Sequence, residues 1–185
     1  LSEMMHEVFG GRTENDALNG LLIKQNLDWR AINALQTYRN FYLQLNPSYS
    51  LSKINDCLLK HSQQTKLLFL YFESKFSPAS HFGQKDYRKK KFLTHFEKEF
   101  TEGLRTVHQV SDDIIFRHLF DLIKNTLRTN FYIPKSQETF ISIKINSQAI
   151  KFMPLPMPFK EIYVHDVNLE GTHLRFGPVS RGGLR

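Results

Sequence analysis

Apolar residues recur at three- and four-residue steps through most of the first 132 positions, and the period then shortens to two. Leu18, Leu21 and Leu22 open the helical pattern behind Thr13-Glu14-Asn15-Asp16, where Thr13 or Asn15 is the expected cap. Asp28 is placed to cap a long helix with the face Trp29, Ile32, Leu35, Tyr38, Tyr42 and Leu45. Asn46-Pro47-Ser48 ends it, because proline cannot continue the hydrogen-bond ladder. Ser50 or Ser52 opens a short helix carrying Ile54, Leu58 and Leu59. Leu67, Leu68, Leu70, Tyr71 and Phe72 are apolar on more than one side, which predicts a helix near the centre of the helical unit. Ser77 to Gly83 reads as a loop. Asp86 starts another helix, with Phe92, Phe96, Phe100 and Leu104 on its core side. Ser111-Asp112-Asp113 supplies a cap and two acids to a last helix, whose face is Phe116, Phe120, Ile123 and Leu127.

After about Tyr132, Phe140 to Asn146 alternates apolar and polar residues as a strand does. Pro154-Leu155-Pro156-Met157-Pro158 is an extended connector. Phe159 to His165 reads as a second strand. Gly171 to Phe176 reads as a third, with Leu174 and Phe176 on one face and His173 and Arg175 on the other. The expected class is α+β, with an all-helical unit over 1–132 and the first strands of a second domain over 133–185.

Apolar residues make up 41% of the 185, including 16 Phe, which is enough material for a core and argues against wholesale disorder. Cys57 is the single cysteine, so no intrachain disulfide can form, and this fits a reducing compartment. No apolar run approaches the ~20 residues of a membrane span, and no basic-then-apolar leader opens the chain. The expectation is a cytoplasmic protein with no membrane partner. The formal net charge is +7, contributed mostly by the run Arg88-Lys89-Lys90-Lys91. That run is either a polyanion patch or the solvated face of a helix. The recurrence of Phe92, Phe96 and Phe100 favours the second reading and no nucleic-acid partner. A scaffold module whose basic run meets a polyanion or an acidic domain is the alternative.

Chemistry-bearing motifs are few. The histidines show no metal-ligand spacing, so no metal is expected. His165 and His173 would approach each other if their strands paired, but without a third ligand they read as sheet-face residues. Cys57 reads as a packing residue. No dinucleotide, P-loop or nucleophile-elbow motif is present, so no cofactor-binding and no catalytic residue is expected within the chain. The tail differs. Gly177-Pro178 turns out of a strand, and Arg181 precedes Gly182 and Gly183. An arginine beside exposed backbone N–H groups suits a carboxylate. A tight turn with a surface arginine fits the same residues equally well.

The stretch Glu161-Ile162-Tyr163-Val164-His165-Asp166 and then Glu170 through Arg185 resembles the start of the catalytic domain of the large bacterial NAD-specific glutamate dehydrogenases. Glu14-Asn15-Asp16-Ala17-Leu18-Asn19, Asp28-Trp29-Arg30 and Thr126-Leu127-Arg128-Thr129-Asn130 are similar to that family too, while 46–110 match only in helical character. The resemblance implies that the chain is an internal piece of a longer enzyme, and that residues 133–185 open its α/β substrate-binding domain. Smaller glutamate dehydrogenases hold the substrate's side-chain carboxylate with the lysine of a related Gly-Pro-x-Lys-Gly-Gly-Leu-Arg segment. Arg181 stands in that position here, with Gly182 beside it. The resemblance further implies oxidation of glutamate to 2-oxoglutarate and ammonium with NAD as cofactor, a homo-oligomeric whole enzyme, and a catalytic lysine and aspartate beyond residue 185. The piece alone is expected to be inactive.

Overall fold

The structure, a computed structural model, describes residues 1–45, 48–78, 86–133, 140–179 and 182–184, with the side chains of 86–90 and 182–184 left aside. Asp16, and not Thr13 or Asn15, begins the ordered helical pattern: its Oδ1 accepts from Leu18 N at 2.7 Å and caps a 3-10 turn over Ala17–Gly20. Helix α1 (Ser2–Phe9) precedes it and α2 (Leu21–Gln25) follows. Asn26 closes α2 in the left-handed conformation, φ 54°. Asp28 caps α3 (Trp29–Leu45) as the pattern predicts, its Oδ1 accepting from Ala31 N at 2.7 Å. Ser50 caps α4 (Leu51–Lys60) through Lys53 N at 3.2 Å.

The long helix α3 departs from the one-faced stripe. It is buried nearly all round, and its buried positions include Asn33, Gln36, Thr37, Arg39 and Asn40 beside Ile32, Leu35 and Phe41. The reason is its place: α1, α2, α5 and α7 pack around it and β3 lies against it. Helix α5 (Ser62–Phe76) packs on α2, α3, α4, α6 and α7, the central place within the helical layer that its two apolar sides predict. Helix α6 (Asp86–Gly103) meets α5. Its aromatic row is only half engaged. Phe100 is buried and stacks on Phe120 at 4.5 Å, Phe96 is half-buried, and Phe92 is exposed.

Helix α7 (Val110–Lys124) begins at Gln109, so Ser111 is no cap and the two acids fall inside its first turn. It also ends earlier than the Phe116-to-Leu127 stripe suggests. Lys75 Nζ donates to the carbonyls of Ile123, Lys124 and Thr126, at 3.2, 2.6 and 2.6 Å, and caps its C-terminus. Tyr38 Oη donates to Thr126 Oγ1 at 2.9 Å. The chain therefore turns straight into β1 (Thr126–Thr129), ahead of the period change near Tyr132, and Leu127 is exposed on that strand.

Strands β2 (Ile141–Ile145), β3 (Lys160–Asp166), β4 (Leu169–Arg175) and β5 (Gly182–Leu184) complete a sheet of order β1-β2-β3-β4-β5, antiparallel at every pairing. The α+β class is as expected. Ile141, Ile143 and Ile145, then Glu161, Tyr163 and His165, then Thr172 and Leu174 form the face turned to the helices. One continuous hydrophobic cluster runs from Leu18 and Ile32 through Phe116 and Ile123 to Ile143 and Tyr163, so helices and sheet share a core.

Candidate functional site

Arg181, the leading candidate from the sequence, lies outside the described residues. Gly182 lies on β5, opposite Arg175 on β4, and Gly183 lies opposite Leu174. Glycine carries no Cβ, so a ligand can approach the β5 backbone closely there. His165 and His173 are not brought together: His165 pairs with Glu170 and His173 with Ile162. His165 is buried on the helix side, and His173 is exposed on the other.

The densest polar constellation is one the sequence does not flag. Arg39, 1% exposed on α3, sits at its centre. Its Nη1 donates to Asp16 Oδ2 at 2.6 Å and Asn55 Oδ1 at 2.9 Å, its Nε to Asn40 Oδ1 at 2.9 Å, and its Nη2 to Glu14 Oε2 at 3.4 Å. Asn40 thereby has its amide oriented, and its Nδ2 donates to Glu170 Oε1 at 2.8 Å and faces His165 Nε2 at 3.1 Å. Thr37 Oγ1 donates to the Asn33 carbonyl at 2.8 Å and so accepts from His165 Nδ1 at 3.1 Å. Glu14 Oε1 lies 3.3 Å from the same Nε2, which donates to it when the ring is protonated. The His165 contact holds the Glu14 carboxyl below the usual carboxylate range, with burial opposing it and the Arg39 charge adding to it. Gln44 Nε2 donates to Glu170 Oε2 at 2.9 Å and Gln44 Oε1 accepts from Thr172 Oγ1 at 3.0 Å.

A cleft of ≈ 410 Å³ opens over Glu14, Asp16, Arg39, Asn40, Gln44 and Glu170. Three carboxylates surround one guanidinium that already makes four internal hydrogen bonds, so the cleft repels an anionic substrate. Its chemistry is that of a clasp: one side chain on α3 ties the Glu14–Asp16 segment and α4 together, and Asn40 extends the tie to β3 and β4. The clasp grips β4 at Glu170. Gly182 pairs at the far end, five residues along, which is about 17 Å in a strand.

A second buried ion cluster joins α4 to α7. Asp112 is 1% exposed and receives Lys53 Nζ at 2.6 Å, His61 Nε2 at 3.2 Å and Lys60 Nζ at 3.5 Å. Burial raises its pKa, but the hydrogen bonds from Lys53 and His61 outweigh it and leave the carboxyl below its ordinary value. Cys57 packs beneath, with its thiol 3.8 Å from the Asp112 carbonyl, and burial pushes its pKa up to about 12, so it is no thiolate nucleophile.

Of the basic run, the side chains of Arg88, Lys89 and Lys90 are outside the described set, and Lys91 is exposed. Lys98, further along α6, pairs with Glu102 at 3.8 Å. No group of three His, Cys, Asp or Glu among the described residues could hold a metal ion. No described helix is long and apolar enough to cross a membrane. Among the described residues the sheet is antiparallel at every pairing and holds no parallel β–helix–β turn.

The sequence model described as "Glutamate dehydrogenase, helical motif 3" matches residues 13–78, and that described as "Bacterial NAD-glutamate dehydrogenase, catalytic domain" matches residues 99–185. The catalytic-domain match takes in the end of α6 and all of α7 with the sheet. Proteins named NAD-specific glutamate dehydrogenase from Pseudomonas aeruginosa, Halomonas elongata and Mycobacterium tuberculosis are 35%, 34% and 31% identical over 192, 186 and 188 residues. They cover 100%, 99% and 100% of this chain, which spans 12%, 11% and 11% of their length. The chain belongs to the bacterial NAD-specific glutamate dehydrogenase family.

Proposed function

We propose that the chain forms the substrate-side wall of a cytoplasmic, homo-oligomeric glutamate dehydrogenase. The reaction is oxidation of L-glutamate to 2-oxoglutarate and ammonium with reduction of NAD. The observation that supports this reading is the similarity, along the whole of this chain and 11–12% of their length, to three proteins named NAD-specific glutamate dehydrogenase. The run from Gly177 to Gly183, joining β4 to β5, falls inside the stretch matched to a bacterial NAD-glutamate dehydrogenase catalytic domain.

In this reading the Arg181 guanidinium holds the distal carboxylate of glutamate, and the Cβ-free backbone at Gly182 lets the substrate approach β5. The guanidinium fork offers two parallel N–H···O bonds, which orient the substrate as well as hold it. The helices, the last of which ends at Lys124, buttress the sheet through α3 and the Arg39 clasp. NAD and the proton-transferring groups are held by other parts of the enzyme, and the 185 residues alone reduce no NAD.

Arg181→Ala in the complete enzyme tests the assignment. Losing a charge-assisted hydrogen-bond pair lowers kcat/KM for glutamate roughly 10- to 100-fold. An unchanged kcat/KM would refute it. NAD reduction by the isolated 185 residues would refute the division of labour.

A further inference from the structure

We propose that the face of the sheet turned away from the helices docks an acidic, amphipathic segment of the same polypeptide from outside these 185 residues. Cross-strand partners share a face, so register builds this surface row by row. One row reads Arg128, Lys144, Ile162, His173 across four neighbouring strands. The next pairs Lys160 with Arg175. On the other side of the first row Val164 lies between Ser142 and Gly171.

Two like-charged pairs, Arg128 with Lys144 and Lys160 with Arg175, therefore stand directly opposite each other on one face. Opposite residues in an antiparallel pair have Cβ atoms about 5 Å apart, and like charges there are destabilising. Within the described residues none of the four makes an ion pair. Lys160 Nζ donates to Asn146 Oδ1 at 2.6 Å and the Phe159 carbonyl at 3.0 Å, and an Arg175 Nη2 donates to the Pro178 carbonyl at 2.8 Å. The acid of this face, Asp166, lies at its far end opposite Leu169.

Four cations around half-buried Ile162, with half-buried Val164 beyond it, ask for carboxylates beside an apolar centre. An acidic helix face supplies both and adds the second layer that buries a sheet. Ile162 and Val164 are aliphatic and His173 is the one ring in these rows, too little for successive bases to stack on, which disfavours a single-stranded nucleic acid. The chain carries net charge +7 and spans 12% of its Pseudomonas relative, so ample polypeptide exists elsewhere to balance the charge.

Lys144 gives the test, in the complete enzyme. Lys144→Glu opposite Arg128 turns a like-charged pair into an ion pair, so with no acidic segment seated it raises Tm. With the segment seated it places a carboxylate against carboxylates, and Tm falls by roughly 2 °C or more. Lys144→Cys, read by maleimide labelling against wild type, does not depend on that variant folding. It labels at least about tenfold slower in the native enzyme than in urea if the face is covered. A raised Tm, native labelling as fast as in urea, or salt-sensitive heparin retention that Lys144→Glu abolishes would each overturn the proposal, the last in favour of an external polyanion.

Discussion

Strand β4 has two ends of opposite character. At Glu170 it is clamped: Asn40 and Gln44 donate to its carboxylate, and Asn40 is held in turn by Arg39. At Arg175 it is in register with Gly182, the first of two adjacent glycines. The clamped end spends its charges on other parts of the protein and has none to offer a substrate. The other end carries Gly182 and Gly183, which have no Cβ, with Arg181 next to them in sequence. The clasp and the proposed substrate-binding residues thus fall at different ends of one strand, and substitutions at the two ends should separate stability from activity.

Arg39→Ala should have the largest effect. It leaves Asp16 and Glu14 facing each other without their cation, and breaking a buried ion cluster costs about 3–5 kcal/mol. Denaturant unfolding checks this; a loss below ~1 kcal/mol would show that the clasp holds little. Asp112→Asn comes next, at about 3 kcal/mol. Its pH dependence is specific. The folded-state pKa is lowered, so the contribution is full above the unfolded value near pH ~4 and disappears as pH falls through the folded value. Wild type should lose stability on acidification below pH ~4 more steeply than the variant, and parallel profiles would contradict the assignment.

Glu170→Gln should be milder, about 1 kcal/mol, because the side chain is exposed and the amide still accepts one hydrogen bond. In the complete enzyme it should leave kcat/KM for glutamate unchanged, whereas loss of activity without loss of stability would merge the two ends. The smallest effect belongs to the edge of the helical layer. Phe92, 52% exposed on α6, should be replaceable by Ser within ~0.5 kcal/mol by thermal unfolding.

Periodicity in the sequence shows the elements that pack by one rule. The alternation of Ile141, Ile143 and Ile145 and the Asp28 cap both appear where the pattern puts them. It fails where tertiary contacts override local ones. Leu127 continues a helical stripe, yet Lys75, far away in sequence, caps α7 first and Thr126 begins a strand. Ser111 has the chemistry of a cap but sits one residue inside its helix. The clasp was harder to see, because its members come from five segments and each is ordinary alone. The available signal was Arg39 at a position that follows the apolar face of α3, preceded by two acids, Glu14 and Asp16. Gly182 and Gly183 stood out as a motif, and the structure sets them on β5 opposite Arg175 and Leu174; the close-approach role belongs to the proposed function.

Arg181 is proposed to read the distal carboxylate of glutamate. The direct measurement is the ratio of kcat/KM for L-glutamate to that for L-norvaline, which lacks that carboxylate, in the complete enzyme and in Arg181→Ala. The ratio should collapse roughly 10- to 100-fold, with the glutamate rate falling and the norvaline rate nearly constant. An unchanged ratio, with both rates falling together or neither falling, would contradict it.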